Sequence, residues 1–245
     1  MKLHGNKILI TGSTAGIGEA LLKKLLGLDN QIIALGRNEF KLKQLAQWDE
    51  RIIPFSCDIS KDIDLDRLIL FIEQEHPDVN ILINNAGIQH NYHFAEEPQL
   101  LGKIEQEINV NLLAPIKLIA LLLPVLKGND NAAIVNVSSG LGLVPKKQAP
   151  VYCCTKAGIH IFSKSLRDQL QDVKVFEIIP PLVDTRMTTG RGRKKISPEQ
   201  LADEFVDAFK KDKYEIRIGK VKLLKVINRL WPSMAELIIR KGAEK

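Results

Sequence analysis

The stretch TGSTAGIG, residues Thr11 to Gly18, comes directly behind the apolar run KILI (Lys7–Ile10) and opens into EALLKKLL (Glu19–Leu26). Three glycines between a strand-like run and a helical pattern fall where parallel sheets with crossover helices bind dinucleotides. Glycine lets the backbone turn sharply and approach a pyrophosphate, and the free amides of a helix N-terminus supply hydrogen bonds and partial positive charge. The spacing Gly-x-x-x-Gly-x-Gly departs from Gly-x-Gly-x-x-Gly, and no Lys-Ser/Thr pair follows as an ATP-binding P-loop requires. Alone, the stretch fits a plain glycine-rich strand-to-helix turn equally well.

Outward from it, strand-like runs alternate with helical patterns. QIIAL (31–35), IIPF (52–55), VNILIN (79–84), AAIVNV (132–137) and VKVFEII (173–179) read as strands; Leu65–Glu75, Ile108–Leu126 and Tyr152–Leu170 read as helices. This rhythm predicts an α/β fold: one Rossmann-type, doubly wound parallel sheet with helices on both faces. A chain of 245 residues with 45% hydrophobic content can bury one such core. We expect a single domain over 1–219, with a mobile substrate lid at about 186–197, and a basic amphipathic C-terminal extension over 220–245. Within that extension Leu223, Leu224, Ile227, Leu230 and Trp231 interleave with Lys220, Lys222, Lys225 and Arg229. Such a pattern can lie on an anionic membrane, or pack on the enzyme body or a second subunit.

The +6 net charge is unevenly placed. Residues 186–195 carry Arg186, Arg191, Arg193, Lys194 and Lys195 and no acid, and 220–245 carry seven basic residues against Glu236 and Glu244. The rest of the chain is net acidic, so no general nucleic-acid surface is implied. MKLHGNKILI lacks the apolar run and cleavage site of a signal peptide, which predicts a cytoplasmic protein. PIKLIALLLPVL (Pro115–Leu126) is too short to span a bilayer and reads as a buried helix. Cys57, Cys153 and Cys154 form no metal spacing and predict reduced thiols. His90 and His93 have no third ligand at convincing spacing, so no metal is expected.

At the end of the second strand, where a carboxylate usually holds a free ribose 2'-hydroxyl, stand Gly36 and Arg37. A guanidinium pairs with a 2'-phosphate in forked geometry, which favours NADP(H) over NAD(H), with Ser13 and Asn38 as helpers. In YCCTK, Tyr152 and Lys156 lie four apart on one helical face. A phenol is a poor acid–base group at neutral pH unless a nearby cation lowers its pKa, and Lys156 is placed to do so. Upstream, VNVSSG presents Ser138 and Ser139 at the carboxyl edge of the sheet, where open α/β folds bind ligands.

In order along residues 5 to about 190, TGSTAGIG, NNAG (84–87), NVNLLAP (109–115), VNVSSG (135–140), YCCTK (152–156) and IIPPLVDT (178–185) resemble the short-chain dehydrogenase/reductase family. The resemblance implies an oxidoreductase interconverting a small-molecule carbonyl and a secondary alcohol. Tyr152 would be the general acid, Lys156 would lower its pKa and bind the nicotinamide ribose, Ser139 would polarise the carbonyl, and Asn111 would bend a helix and hold a relay water. Cofactor contacts would come from Gly12, Ser13, Thr14, Gly16, Ile17, Gly18, Arg37, Asn38, Asp58, Ile59, Asn85, Ala86, Gly87, Tyr152, Lys156, Pro181, Val183 and Thr185. The apolar helix around 112–126 matches the family's dimer-forming region and implies a homodimer or homotetramer. Pro180-Pro181 replaces the family's usual Pro-Gly and resembles a bacterial branch named after the D-alanylation operon; it stiffens one wall of the nicotinamide pocket. A non-catalytic dinucleotide-binding or membrane-associated module of the same fold is the competing reading, against which intact Asn111, Ser139, Tyr152 and Lys156 argue.

Overall fold

A computed structural model describes residues 1–192 and 194–243, with side chains through Arg240; Arg193 of the expected lid and residues 244–245 of the extension lie outside it. The strands are β1 (Lys7–Thr11), β2 (Gln31–Gly36), β3 (Ile52–Ser56), β4 (Ile81–Asn84), β5 (Ala133–Val137), β6 (Lys174–Ile179) and β7 (Glu215–Arg217). They form one parallel sheet in the order β3-β2-β1-β4-β5-β6-β7. Both faces are covered, so β1 alternates between two apolar layers: Ile8 and Ile10 join one, Leu9 the other. The first layer takes Leu21, Leu22 and Leu25 from α1 (Gly16–Leu26) and Phe205 and Phe209 from a late helix at Pro198–Lys210. The second takes Leu65, Leu68 and Ile72 from a helix at Asp62–Glu75, and Leu118, Leu122 and Leu126 from one at Ala114–Lys127. In chain order these helices are α1, α2 (Glu39–Trp48), α3 (Asp62–Glu75), α4 (Leu100–Ile108), α5 (Ala114–Lys127), α6 (Pro150–Gln169), α7 (Pro198–Lys210), α8 (Val221–Leu230) and α9 (Pro232–Ala243). The doubly wound sheet read from the sequence is therefore present.

Three local features differ from the sequence reading. The long helix expected from Ile108 is α4 and α5 joined by a π-helical turn at Asn109–Leu113, with Asn111 buried inside it. This continuous Leu100–Lys127 segment is long and apolar enough to cross a membrane, yet its α5 half packs Leu118, Ile119, Leu122 and Leu126 into the core. β7 was not anticipated, being a three-residue edge strand with one buried side chain, Ile216. In the expected lid, Arg186–Thr188 forms a 3-10 turn capped by Thr185, and Val183 bridges Ile196.

Candidate active site

The sheet reverses its winding between β1 and β4, and the crevice outside such a switch point is where α/β sheets bind ligands. Here Thr11 Oγ1 accepts the amides of Asn85 and Ala86 at 3.0 Å each, while Asn85 Nδ2 donates to the carbonyls of Thr11 and Gly12. The two strand ends are thus stitched around a cleft of about 400 Å³. Gly12 and Gly16 adopt φ +66° and +57°, the left-handed region that a side chain resists. Gly18 answers a different need: a Cβ there would stand 2.2 Å from the Gly12 carbonyl oxygen.

Of the expected cofactor residues, Gly12, Thr14, Gly16, Ile17, Arg37, Asp58, Ile59, Asn85, Ala86, Gly87 and Thr185 line this cleft. Five do not. Ser13 is fully buried and donates its hydroxyl to the Leu35 carbonyl at 3.0 Å, so it braces the turn. Asn38 caps α2 by accepting the Lys41 amide. Gly18 packs behind the turn, Val183 is buried in the first apolar layer, and Pro181 stands by Gly219. The sequence reading missed Ala15, Leu35, Gly36, Cys57, Ile88, Val110, Arg186 and Met187 in the lining. Proximity to a motif at a strand's carboxyl end was the available signal for Gly36 and Ile88; nothing marked Val110 or Met187. Burial raises the Asp58 pKa, but hydrogen bonds from the Ser60 hydroxyl and amide and the charge of Arg37 bring it below the usual carboxylate value.

Of the four expected catalytic side chains, Asn111 and Lys156 meet beside Gly87, where a Cβ would stand 3.2 Å from Asn111 Oδ1 and 3.6 Å from Lys156 Nζ, and Tyr152 lies next to Lys156 and Ser139. Asn111 clamps Ile88, accepting its amide and donating to its carbonyl, both at 2.8 Å. Lys156 Nζ donates to the Val137 carbonyl at 2.8 Å and lies 5.8 Å from the Tyr152 ring centre. Ser139 Oγ accepts the Leu141 amide at 3.1 Å, and its hydroxyl is in hydrogen-bond reach of Tyr152. Ser138 is turned the other way, its hydroxyl donating to Glu177. Burial pushes the Tyr152 phenol up to about 12, against a smaller downward pull from Ser139. No lowering by Lys156 is seen at Tyr152; desolvation disfavours the charged form of both groups. It carries Lys156 down to about 8, opposed by the charge of Glu177.

Sequence reasoning also missed two buried acids at this site. Glu177 on β6 is hydrogen-bonded to His160 and Ser138. Glu107 on α4 accepts the His90 amide at 2.8 Å, so with Asn111 it holds the Ile88–His90 segment. His90 and His93 belong to no metal-binding group among the described residues. Cys57 and Cys153 are buried free thiols and Cys154 is exposed. Burial raises the Cys57 thiol to about 12.

Residues 6–196 match the family model for short chain dehydrogenases. An uncharacterized oxidoreductase of Bacillus subtilis, DltE, is 40% identical over 237 residues, covering 94% of each chain. A short chain dehydrogenase from Burkholderia cenocepacia, solved in complex with NADP, superposes with a TM-score of 0.87 at 23% identity over 98% of this chain and 99% of that one. A short-chain dehydrogenase/reductase from Burkholderia phymatum, solved with NAD, has a TM-score of 0.83 at 19% identity over 99% and 98%. The similarity thus runs through the glycine turn, the switch-point cleft and the helix that carries Tyr152 and Lys156.

Proposed function

This chain belongs to the short-chain dehydrogenase/reductase family, an oxidoreductase acting on CH–OH and C=O groups of the DltE-like branch, and from that premise we propose that it reduces a carbonyl to a secondary alcohol with NADP(H) in preference to NAD(H). The residues present suit such a cofactor. Gly12 and Gly16 provide a side-chain-free cradle at the N-terminus of α1, where amides favour phosphate, and Arg37 stands on the cleft beyond β2. No carboxylate takes its place at the end of that strand; Asp58, which also lines the cleft, is turned to Ser60. The bound cofactor supplies the hydride, and the chain orients the partners and manages one proton.

The observation that carries this reading is the buried grouping of Tyr152 with Ser139 and Lys156 at the carboxyl edge of the sheet. Burial keeps the proton on this phenol at neutral pH, and the charge of Lys156 beside it would counter the raised pKa, so that the proton can pass to a nascent alkoxide. Ser139, its Oγ accepting the Leu141 amide and its hydroxyl beside Tyr152, would turn that proton to the substrate oxygen. Lys156 holds the site's positive charge and has two N–H donors left after Val137. Asn111 fixes the Gly87–Ile88 wall. The non-catalytic alternative is not favoured, since nothing in this constellation has been lost.

Titration with NADPH and NADH, followed by fluorescence in the wild type and Arg37→Ala, tests the assignment. Tighter NADPH binding that Arg37→Ala abolishes supports it; equal affinities in the wild type would refute the NADP(H) preference, and binding of neither would refute the nucleotide site.

A further inference from the structure

α8 and α9 carry an apolar surface that the rest of the described chain does not cover. Leu223, Val226 and Leu230, spaced i, i+3 and i+7, share one face of α8 and are each more than half exposed. Trp231 stands exposed at the corner, and Met234, Leu237 and Ile238 extend the exposed apolar surface along α9. The helices are anchored from the other side. Val221 is buried, its Cγ2 and Leu224 Cδ2 lie over Gly140, Asn228 donates to the Leu143 carbonyl at 3.1 Å, and Ala235 is fully buried. The exposed face is therefore held outward by packing.

A basic stripe flanks it. Lys222, Lys225 and Arg229 each precede one of the three apolar residues of α8, placing them about 100° around the helix. Lys225 pairs with Glu215 at 3.0 Å and Lys222 loosely with Glu204 at 3.4 Å. Lys220, Arg229 and Arg240 have no acidic partner within 4 Å among the described residues.

We propose that α8 and α9 dock this protein on an anionic lipid bilayer, with the apolar stripe at the acyl boundary and the cations among the headgroups. Charge decides against a second copy as the occupant. An isologous interface would set a patch that carries, among the described side chains, Lys220, Lys222, Lys225, Arg229 and Arg240 against the single acid Glu236 onto its duplicate, and like charges brought together oppose association. Anionic headgroups neutralise the same charges, and an exposed Trp suits the interface between headgroups and tails. The docked α8 lies directly over Gly140, next to Ser139, so the substrate side of the site stands near the lipid surface.

Flotation of the full chain with vesicles of phosphatidylcholine, with and without phosphatidylglycerol, tests this. Binding is expected to the phosphatidylglycerol vesicles, to weaken as salt is raised, and to fall on the order of tenfold in Lys220→Glu/Arg229→Glu. It should be lost in Leu223→Ser/Val226→Ser/Leu230→Ser. NADPH titration of each variant, unchanged from wild type, shows that the fold is intact. No flotation, equal flotation with both vesicles, or a concentration-dependent oligomer that disappears in the triple serine variant without any flotation would each overturn the proposal.

Discussion

Glu177 and His160 meet at 2.8 Å in the buried layer beneath Lys156. His160 follows Lys156 by one turn of α6, while Glu177 comes from β6 and also takes the hydroxyl proton of Ser138. Desolvation lowers the Lys156 pKa to about 8, and Glu177 pushes against it. The profile of kcat/KM against pH reports groups of the free enzyme. Carbonyl reduction should therefore lose kcat/KM for NADPH above about pH 8 as Lys156 sheds its charge. In Glu177→Gln that limb moves to lower pH, whereas a merely structural role would reduce the rate without moving it.

Tyr152 is expected to supply the proton in reduction. Tyr152→Phe keeps the ring and removes the donor, so hydride transfer should fall about 10²- to 10⁴-fold while NADPH affinity is retained. Single-turnover loss of NADPH absorbance measures both; an unchanged rate would exclude Tyr152 as the general acid.

Gly18 and Gly102 offer a paired test of the glycine turn. A methyl at 18 meets the Gly12 carbonyl oxygen at 2.2 Å and Asn85 Nδ2 at 2.5 Å, but at 102 it meets nothing within 4 Å. Gly18→Ala should cost roughly 1–3 kcal/mol in denaturant unfolding and weaken dinucleotide binding. Gly102→Ala, inside α4, should gain about 0.5–1 kcal/mol. Equal effects would mean that the turn relaxes freely.

Glu107 sets a pH dependence of stability. Its side chain is buried with Oε2 lacking a hydrogen-bond partner, and burial raises its pKa above 4.5. The folded state therefore binds its proton more tightly than the unfolded state, and this contribution is full below 4.5 and lost as pH rises through the raised value. Gln mimics the protonated acid. Glu107→Gln should match the wild type in melting temperature near about pH 4 and exceed it near about pH 8. A constant gap at both values would rule out Glu107 titration as the cause.

The glycine turn, the alternation of strands and helices, and the Tyr152–Lys156 pair were legible in the sequence because each is local. A turn of φ needs glycine at a given position, and two residues four apart share a helix face whatever surrounds them. Other features depended on partners distant along the chain. β7 forms because β6 presents an open edge to Glu215–Arg217, a segment too short to show a period. Ser13 sits in the nucleotide motif, yet the Leu35 carbonyl 22 residues away claims its hydroxyl.

By itself the sequence determined the doubly wound sheet, its glycine-lined switch point and the identity of the groups gathered there. Only the tertiary structure decided their protonation. Tyr152 and Lys156 could be paired from their spacing, but how far each departs from its solution pKa depends on how completely the fold excludes water. Glu177, which stands against that loss of charge, reaches Lys156 only because α6 packs on β6.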